Sequence, residues 1–224
     1  MKICKYGVTL SLLRQQDIEF VSQKFNPVEE KPSDESSDNT PDDVQEWIDS
    51  IYNFTNFYYI IEYEGIKIGL INDKVLDWRN RTSETELVLW DDSYADTMAP
   101  MLAMLCLFET GFYYLGWKTY RTRAKQDDSK GIETVKSLGF ELPEDSKKGK
   151  DQEYSLSCKH FETKAKKILE EARANVNEES GEGYLLLEAA DYETGIAQKI
   201  EHHITESGIY LHRKGKAGSR MYFR

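Results

Sequence analysis

Two glutamates on a predicted strand are the first residues whose types and spacing could do chemistry. Glu84 and Glu86 alternate with Thr85 and Leu87, so their side chains would share one face of a strand over residues 84–90. A carboxylate held in this way can accept a proton from a reacting group. Two carboxylates on one strand face are also typical of a solvated surface. The pair is therefore a candidate acid–base site, with a plain solvent-exposed face as the alternative.

A basic segment forms the last part of the sequence, and no acidic residue occurs from Gly208 onward. Five cations accumulate there, at Arg213, Lys214, Lys216, Arg220 and Arg224. Basic residues interleaved with aromatic ones such as Tyr222 can hold phosphates and stack bases. The segment could equally meet an acidic surface, such as Glu29 to Asp43 of a neighbouring copy. We therefore predict a partner-binding tail, directed at phosphate or nucleic acid or at protein.

Composition and charge exclude several classes of protein. The 224 residues are 39% hydrophobic and 31% charged, which is typical of a soluble globular chain. No apolar run approaches the roughly 18 residues of a membrane span, and no basic-then-apolar leader indicates secretion. The formal net charge of -11 argues against a protein whose whole surface embraces nucleic acid. We expect a cytoplasmic protein without membrane contact.

Cysteine and histidine usage indicates neither a disulfide framework nor a metal centre. Cys4, Cys106 and Cys158 are odd in number and widely spaced, and no pair forms a CxxC motif. The four histidines lack the spacing of metal ligands. We therefore predict a protein of a reducing compartment with no metal site.

The elements that must position the two glutamates follow in a clear order. After the strand come a polar loop over 91–96 and a long apolar helix that ends near Gly116. A second strand over 117–125 precedes a short amphipathic helix over 129–138. Earlier in the chain, residues 57–63 and 66–76 read as a hairpin with its turn at Glu64-Gly65.

This order resembles the GNAT acyltransferase superfamily. The similarity rests on Phe112-Tyr113-Tyr114-Leu115-Gly116 at the end of the long helix and on Asp128 to Ile132 leading into Leu138-Gly139-Phe140. The resemblance implies an α+β fold, with a mixed, mostly antiparallel central sheet flanked by helices. It also implies acetyl-CoA as the donor and Glu84 or Glu86 as the general base. Tyr120, like Tyr113 and Tyr114, lies near in sequence and is a candidate general acid, with aromatic core packing as the favoured alternative.

The resemblance also implies which residues would contact the cofactor. Those positions are Leu89, Tyr94, Asp96, Thr97, Met98 and Asp128. Members of the superfamily place spaced glycines in the loop after the central strand, so that backbone amides approach the diphosphate. Here that loop has no glycine, and Asp96 puts a carboxylate near the expected anion, which repels it. At the position of the usual tyrosine acid stands Val135, which cannot donate a proton.

These departures favour a GNAT-fold protein with a degenerate acyl-CoA site. We predict a non-catalytic structural or assembly component that binds no cofactor, in a larger assembly or a homo-oligomer. The resemblance includes degenerate copies among internal virion proteins of tailed phages, which adds the virion as a possible location. The alternative is an active N-acyltransferase that moves an acetyl group from acetyl-CoA to an amine.

The chain is predicted to have three parts. Residues 1–158 would form the GNAT-like domain, and 159–180 a connecting helix and hinge. Residues 181–224 would form a small C-terminal β-α-β-β module that carries the basic tail, with a strand over 184–190, a helix from Asp191 to about Glu206 and a closing hairpin of 209–212 with 220–223. The connecting helix would span 161–175, and the first strand of the GNAT-like domain would begin at Gly7. A module of this size is too small to rely on folding alone, so we expect it to dock on the first domain or on another chain.

Overall fold

A computed structural model describes residues 1–24, 41–143, 151–175, 183–207, 211–215 and 218–223. These residues form a ten-stranded sheet with strand order β7-β6-β5-β4-β3-β2-β1-β8-β10-β9. The strands β1 to β10 are Lys2–Lys5, Val8–Leu12, Phe57–Tyr63, Ile66–Asp77, Thr82–Leu89, Thr119–Lys125, Asp151–Ser157, Tyr184–Leu187, Leu211–Lys214 and Arg220–Phe223. All neighbours pair antiparallel except β5 and β6, which are parallel. The predicted mixed, mostly antiparallel α+β fold is confirmed.

Eight helices accompany the sheet within the described residues. In chain order, α1 to α8 are Ile18–Ser22, Pro41–Tyr52, Ala99–Thr110, Ser129–Ser137, Cys158–Lys164, Lys166–Asn175, Ala189–Glu193 and Ile196–Ser207. No described helix is long and apolar enough to cross a membrane. Of the predicted acidic segment Glu29 to Asp43, residues 29–40 lie outside the described residues and the remainder opens α2.

Helix α3 is the centre of the hydrophobic core. It is apolar on almost every side, so it is buried against β1 and β2 rather than lying at the margin of the sheet. A π-helical turn, Gly111–Leu115, extends it, and Gly116 ends it in the left-handed conformation with φ 68°. Glycine adopts this conformation at little cost, which is why it so often follows a helix. The helix end predicted near Gly116 agrees with this position.

The hairpin of β3 and β4 also follows from its turn residues. Glu64 and Gly65 both have positive φ, 51° and 78°, as a two-residue turn between twisted strands requires. Further along β4, Gly69 lies so close to β5 that an added Cβ would overlap the Val88 carbonyl oxygen. The close contact between these two strands therefore depends on that glycine.

The C-terminal elements extend the main sheet. Strand β8 pairs antiparallel with β1, with Ile3 opposite Leu185, and β10 continues on its other side. The predicted terminal hairpin is present, with β9 at residues 211–214 rather than 209–212. Strand β1, however, is not predicted by the sequence pattern, in which the sheet begins at Gly7. With Lys2, Cys4 and Lys5, the segment lacks the apolar alternation typical of a strand. Pairing with β2 and β8 decides its conformation.

Two predicted C-terminal helices are divided in the structure. The segment 161–175 becomes α5 and α6, and the helix expected from Asp191 to Glu206 becomes α7 and α8, which Gly195 separates with φ 81°. Asp191 lies in the first turn of α7 rather than before it. Its carboxylate accepts a hydrogen bond from the Glu188 backbone nitrogen at 2.7 Å, so Glu188 is the N-cap residue that precedes the helix.

Candidate active site

The site begins where the two parallel strands separate. Strands β5 and β6 pair only at Thr82 with Thr119, Ser83 with Tyr120 and Glu84 with Arg121. Beyond this last rung they diverge and enclose a cleft of about 420 Å³. Backbone groups of residues 85–89 and 122–125 that point into the gap have no cross-strand partner there among the described residues. An extended ligand with amide groups can satisfy such an edge.

Helix α3, helix α4 and Phe140, which follows α4, complete the cleft. Its lining residues are Thr85, Glu86, Leu87, Pro100, Met104, Phe108, Thr122, Arg123, Ala124, Lys125, Asp128, Gly131, Thr134, Val135 and Phe140. Asp128 caps α4, because its Oδ1 accepts a hydrogen bond from the Gly131 nitrogen at 2.9 Å. A Cβ on Gly131 would overlap that carboxylate, so the cap depends on the glycine. The cleft is therefore apolar towards the helices and polar along the strands.

A second, smaller cavity lies beside the turn between β4 and β5. This hairpin pocket has a volume of about 260 Å³ and is lined by Val75, Asp77, Asn80, Thr82, Ser83, Glu84 and Arg121. Glu84 and Arg121 form the last β5–β6 rung, and the next residue on each strand, Thr85 or Thr122, lines the cleft. The two cavities share no lining residue, but they lie on either side of this rung, which we call the junction.

The structure separates the two predicted carboxylates. The Glu84 side chain lines the hairpin pocket and is 21% exposed, with the Arg123 guanidinium 4.0 Å away. The Glu86 side chain lines the cleft and is 42% exposed, and its carboxylate accepts a hydrogen bond from Lys74 Nζ at 2.7 Å. Glu84 is therefore the carboxylate at the junction of the cavities, whereas Glu86 is held in a close ion pair.

Tyr120 points into the core instead of the cleft. Its side chain is fully buried against Phe108 and Phe112, and its hydroxyl donates to the Leu107 carbonyl oxygen at 3.3 Å. Burial raises the pKa of Tyr120 well above its ordinary value, and the nearby Asp73 adds to this effect. A Cβ on Gly111 would overlap the hydroxyl, so the helix accommodates the ring through a glycine. Val135, unlike Tyr120, lines the cleft.

A buried acid lies directly behind this junction, and sequence reasoning missed it. Asp73 is 1% exposed, and its Oδ1 accepts a hydrogen bond from Ser83 Oγ at 3.1 Å. Burial raises its pKa to about 8, while the hydrogen bond from Ser83 and the nearby Tyr120 hydroxyl act in the opposite direction. The available signal was Asn72-Asp73 in the middle of an otherwise buried strand.

The predicted cofactor residues are dispersed, and of the six only Asp128 lines the cleft. Leu89 ends β5, and Tyr94 closes a 3-10 turn. The Thr97 hydroxyl accepts a hydrogen bond at 3.2 Å from the nitrogen of Ala99, the first residue of α3. Met98 is largely exposed at the same helix start.

Asp96 forms an exposed ion pair with a residue of α4. Its Oδ1 lies 2.7 Å from Lys130 Nζ, and this hydrogen bond lowers the pKa of the carboxyl group. The pair connects the loop before α3 to the first turn of α4. A cation therefore stands beside the carboxylate that was expected to repel a diphosphate.

The basic tail is only partly described. Arg213 and Lys214 lie on β9, while Lys216 and Arg224 are outside the described residues. Arg220 on β10 donates to Glu201 Oε1 at 2.8 Å, and its guanidinium lies over the Tyr192 ring at 5.6 Å. This predicted binding residue thus has intramolecular partners on α7 and α8.

Comparison with known proteins gives a result at the level of structure. No family model and no curated protein matches the sequence. Among solved structures, the apo form of FdhC, a nucleotide-linked sugar GNAT, superposes with a TM-score of 0.62 at 16% identity, over 75% of this chain and 97% of its own.

Spermidine N-acetyltransferase from Vibrio cholerae is also similar. Its complex with CoA and spermine has a TM-score of 0.57 at 15% identity, over 69% of this chain and 98% of its own. A dodecameric form of that enzyme has a TM-score of 0.52 at 14% identity, over 67% of this chain and 94% of its own. The protein therefore has a GNAT-like fold.

Proposed function

We propose that the protein is an N-acyltransferase that binds an acyl-coenzyme A in the cleft and an amine in the hairpin pocket. The observation that carries this proposal is the placement of the two cavities on either side of the last β5–β6 rung, with Glu84 at that rung. A donor and an acceptor that enter from opposite ends would bring their reacting atoms together there. Such positioning supplies much of the rate enhancement in a two-substrate reaction.

The residues of the cleft fit an acyl-CoA donor. The open edges of β5 and β6 offer backbone partners to the amides of a pantetheine arm. Met104, Phe108 and Val135 offer an apolar wall, and Lys125 adds a positive charge. When bound, the donor supplies an acyl carbon activated as a thioester.

Glu84 is the residue that would accept the proton of the amine, directly or through one water molecule. The neutral nitrogen forms a bond to the acyl carbon, the carbon–sulfur bond breaks, and the electron pair leaves with sulfur. An ordinary thiol has a pKa of about 8.5, so a thiolate can depart without a dedicated acid. The core position of Tyr120 is compatible with this route.

The solved neighbours support acetyl-CoA as the donor and a homo-oligomer as the assembly. CoA and spermine are bound to one of them, and another is a dodecamer. At 14–15% identity these properties are reasons for the proposal and not properties of this chain.

A second candidate is a non-catalytic member with a structural or assembly role, including a role in a virion. It is favoured by the ion pair between Asp96 and Lys130, which occupies the loop where the resemblance expects a diphosphate. Val135 in the cleft, in place of a tyrosine, supports the same alternative. Under this proposal the chain binds no cofactor.

Thermal unfolding with and without acetyl-CoA separates the two candidates. A ligand at 100 times its dissociation constant stabilises a fold by about 2.7 kcal/mol, which gives a clear upward shift in Tm. Thr134→Trp would fill the cleft and should abolish the shift. Glu133→Trp, exposed on the same helix, should retain it. No shift for the wild-type chain at millimolar acetyl-CoA would reject the enzyme proposal.

Turnover tests the role of Glu84 separately. Glu84→Gln should lower kcat by about 10² to 10⁴, the usual contribution of a positioned base. Glu153→Gln removes the other carboxylate near Arg123 and should change kcat less than twofold. Binding without turnover on any amine, in both variants and wild type, would favour the non-catalytic candidate.

A further inference from the structure

The hairpin pocket contains charges of both signs, which bears on its ligand. Glu84 supplies a partly buried carboxylate, and Arg121 supplies a guanidinium from the opposite side of the same rung. Arg121 makes no ion pair or side-chain hydrogen bond with any of the residues that the structure describes. The pocket thus presents a cation that the described part of the protein does not neutralise.

The neighbouring charges on this face of the sheet have other partners. Arg123 lies between Glu84 and Glu153, at 4.0 and 3.9 Å, and Lys74 pairs with Glu86. Asp77 accepts hydrogen bonds within its own turn, from the Asn80 nitrogen at 2.8 Å and the Asn80 side chain at 2.6 Å. These bonds lower the pKa of Asp77 and direct its carboxylate to the turn. Arg121 is therefore the pocket's anion-binding group.

An apolar residue in an unfavourable backbone conformation completes the pocket. Val75 has φ 53°, which is rare for a β-branched residue, and it is 62% exposed. The conformation is held because the Val75 nitrogen donates to Asn56 Oδ1 at 3.1 Å and the Leu76 nitrogen to the Thr55 carbonyl oxygen at 3.0 Å. Backbone strain of this kind is concentrated at ligand sites. The valine gives the pocket a small apolar wall.

We propose that the acceptor is a small amine that carries an anionic group, either a carboxylate or a phosphate. Its nitrogen faces Glu84, its anionic group pairs with Arg121, and a short aliphatic part contacts Val75. A volume of about 260 Å³ suits a molecule of amino-acid size. This inference rests on the proposed acyl transfer, but it also predicts binding without any donor.

Matched ligands test the inference. With acetyl-CoA present, release of free thiol is measured for L-valine, L-valine methyl ester and isobutylamine, and for phosphoethanolamine against ethanolamine. We expect kcat/KM to be at least tenfold higher for the anionic member of one or both series. The series that responds identifies the anionic group. Spermidine, which has no anionic group, serves as the contrasting amine.

Variants locate the effect in the pocket. Arg121→Gln should lower kcat/KM for anionic amines about tenfold or more, through KM, and change uncharged amines less than twofold. Arg121→Lys should recover part of the loss. Lys118→Gln, which removes an exposed charge just before β6, is the matched control and should behave as wild type.

Direct binding makes the result independent of turnover. Ligand-observed NMR of L-valine and phosphoethanolamine with the full chain, without donor, should show saturation transfer that Arg121→Gln removes. If acetyl-CoA binds but spermidine is acetylated better than every anionic amine, the inference is overturned while the proposed function stands. If neither anionic probe binds the wild-type chain, the inference fails by itself. Absence of acetyl-CoA binding instead rejects the proposed function.

Discussion

The two ends of the sheet differ in how far their backbone pairing extends. Around β1, β8 and β10 the strands pair along most of their length, and Tyr192 of α7 and Glu201 of α8 contact Arg220 of β10. Between β5 and β6 pairing stops after three rungs. In the first region the backbone groups pair with one another and stabilise the fold. In the second region they remain available to a ligand. The difference indicates that substitutions near β8 should act on folding and those near β5 on binding.

Two of the buried carboxylates, Asp191 and Asp73, show the same contrast. Asp191 accepts hydrogen bonds from Arg14 Nη2 at 3.1 Å and from the Glu188 nitrogen at 2.7 Å. Asp73, beside the cleft, accepts a hydrogen bond from the Ser83 hydroxyl at 3.1 Å, and the Tyr120 hydroxyl lies nearby. An ion pair stabilises the charged form of a buried carboxyl group, whereas hydroxyls do so weakly. The site region therefore carries an acid that favours its neutral form.

The largest expected effect is on the Asp191 pair. Asp191→Ala leaves Arg14 with Glu188 as its remaining carboxylate partner and removes the cap of α7, so the free energy of unfolding should fall by about 3–5 kcal/mol. Urea denaturation measures the change. Glu193→Ala, exposed on the same helix, should stay within about 0.5 kcal/mol. An equally mild effect of both variants would contradict the stabilising role of this region.

Two leucine truncations compare the regions directly. Leu185 on β8 is fully buried, so Leu185→Ala should cost about 2–5 kcal/mol of unfolding free energy. Leu87 on β5 is half-buried and lines the cleft, so Leu87→Ala should cost about 1 kcal/mol and weaken acetyl-CoA binding. Calorimetric titration measures the binding. The comparison fails if Leu185→Ala weakens ligand binding more than Leu87→Ala does.

Asp73 should give stability a specific pH dependence. Its pKa in the fold is raised to about 8, so the folded chain keeps a proton that the unfolded chain releases above about pH 4. Rising pH therefore favours the unfolded chain across this interval. The effect of this group is about 1.4 kcal/mol between pH 6 and pH 7. Asp73→Asn should remove that slope and be relatively more stable at pH 8. Parallel urea curves for both chains across this range would disprove it.

The smallest expected effect concerns the exposed ion pair. Asp96→Asn should leave Tm unchanged and strengthen acetyl-CoA binding severalfold at low salt, because it frees Lys130 and removes a negative charge. Lys130→Gln should weaken binding by a similar factor. Both effects should shrink in 0.5 M salt, where charges are screened. Asp92→Asn, exposed in the same loop, is the control.

Much of the fold could be predicted because local patterns and topology agree. The β5, α3, β6 and α4 order, the end of the helix at Gly116 and the Glu64-Gly65 hairpin all follow from periodicity and turn residues. Strand β1 and the division of the last helices were not predicted from the sequence. The conformation of β1 depends on pairing with residues far away in the chain, which a local pattern does not contain. Gly195, which separates α7 and α8, is by contrast a local signal that the prediction of a single helix did not use.

The candidate site was less predictable for a similar reason. Alternation correctly placed Glu84 and Glu86 on one strand, but only the length of the β5–β6 ladder assigns them to different cavities. The residue type of Tyr120 makes it a candidate general acid. Its ring instead points into the core, where Gly111 leaves room for the hydroxyl group. Asp73 lies in a strand whose pattern indicates burial, which conceals an acidic residue close to the site. Tertiary geometry therefore decides the site more than residue identity does.

The pairing of β1 with β8 sets the order in which the molecule can be completed during translation. The β1–β2 hairpin emerges early from the ribosome, but the strand that covers its other edge begins only at Tyr184. An uncovered strand edge invites pairing with other chains. A nascent or truncated chain that stops before this strand would therefore carry an unpaired strand edge that is prone to aggregation. Chaperone protection would matter most until β8 has been synthesised.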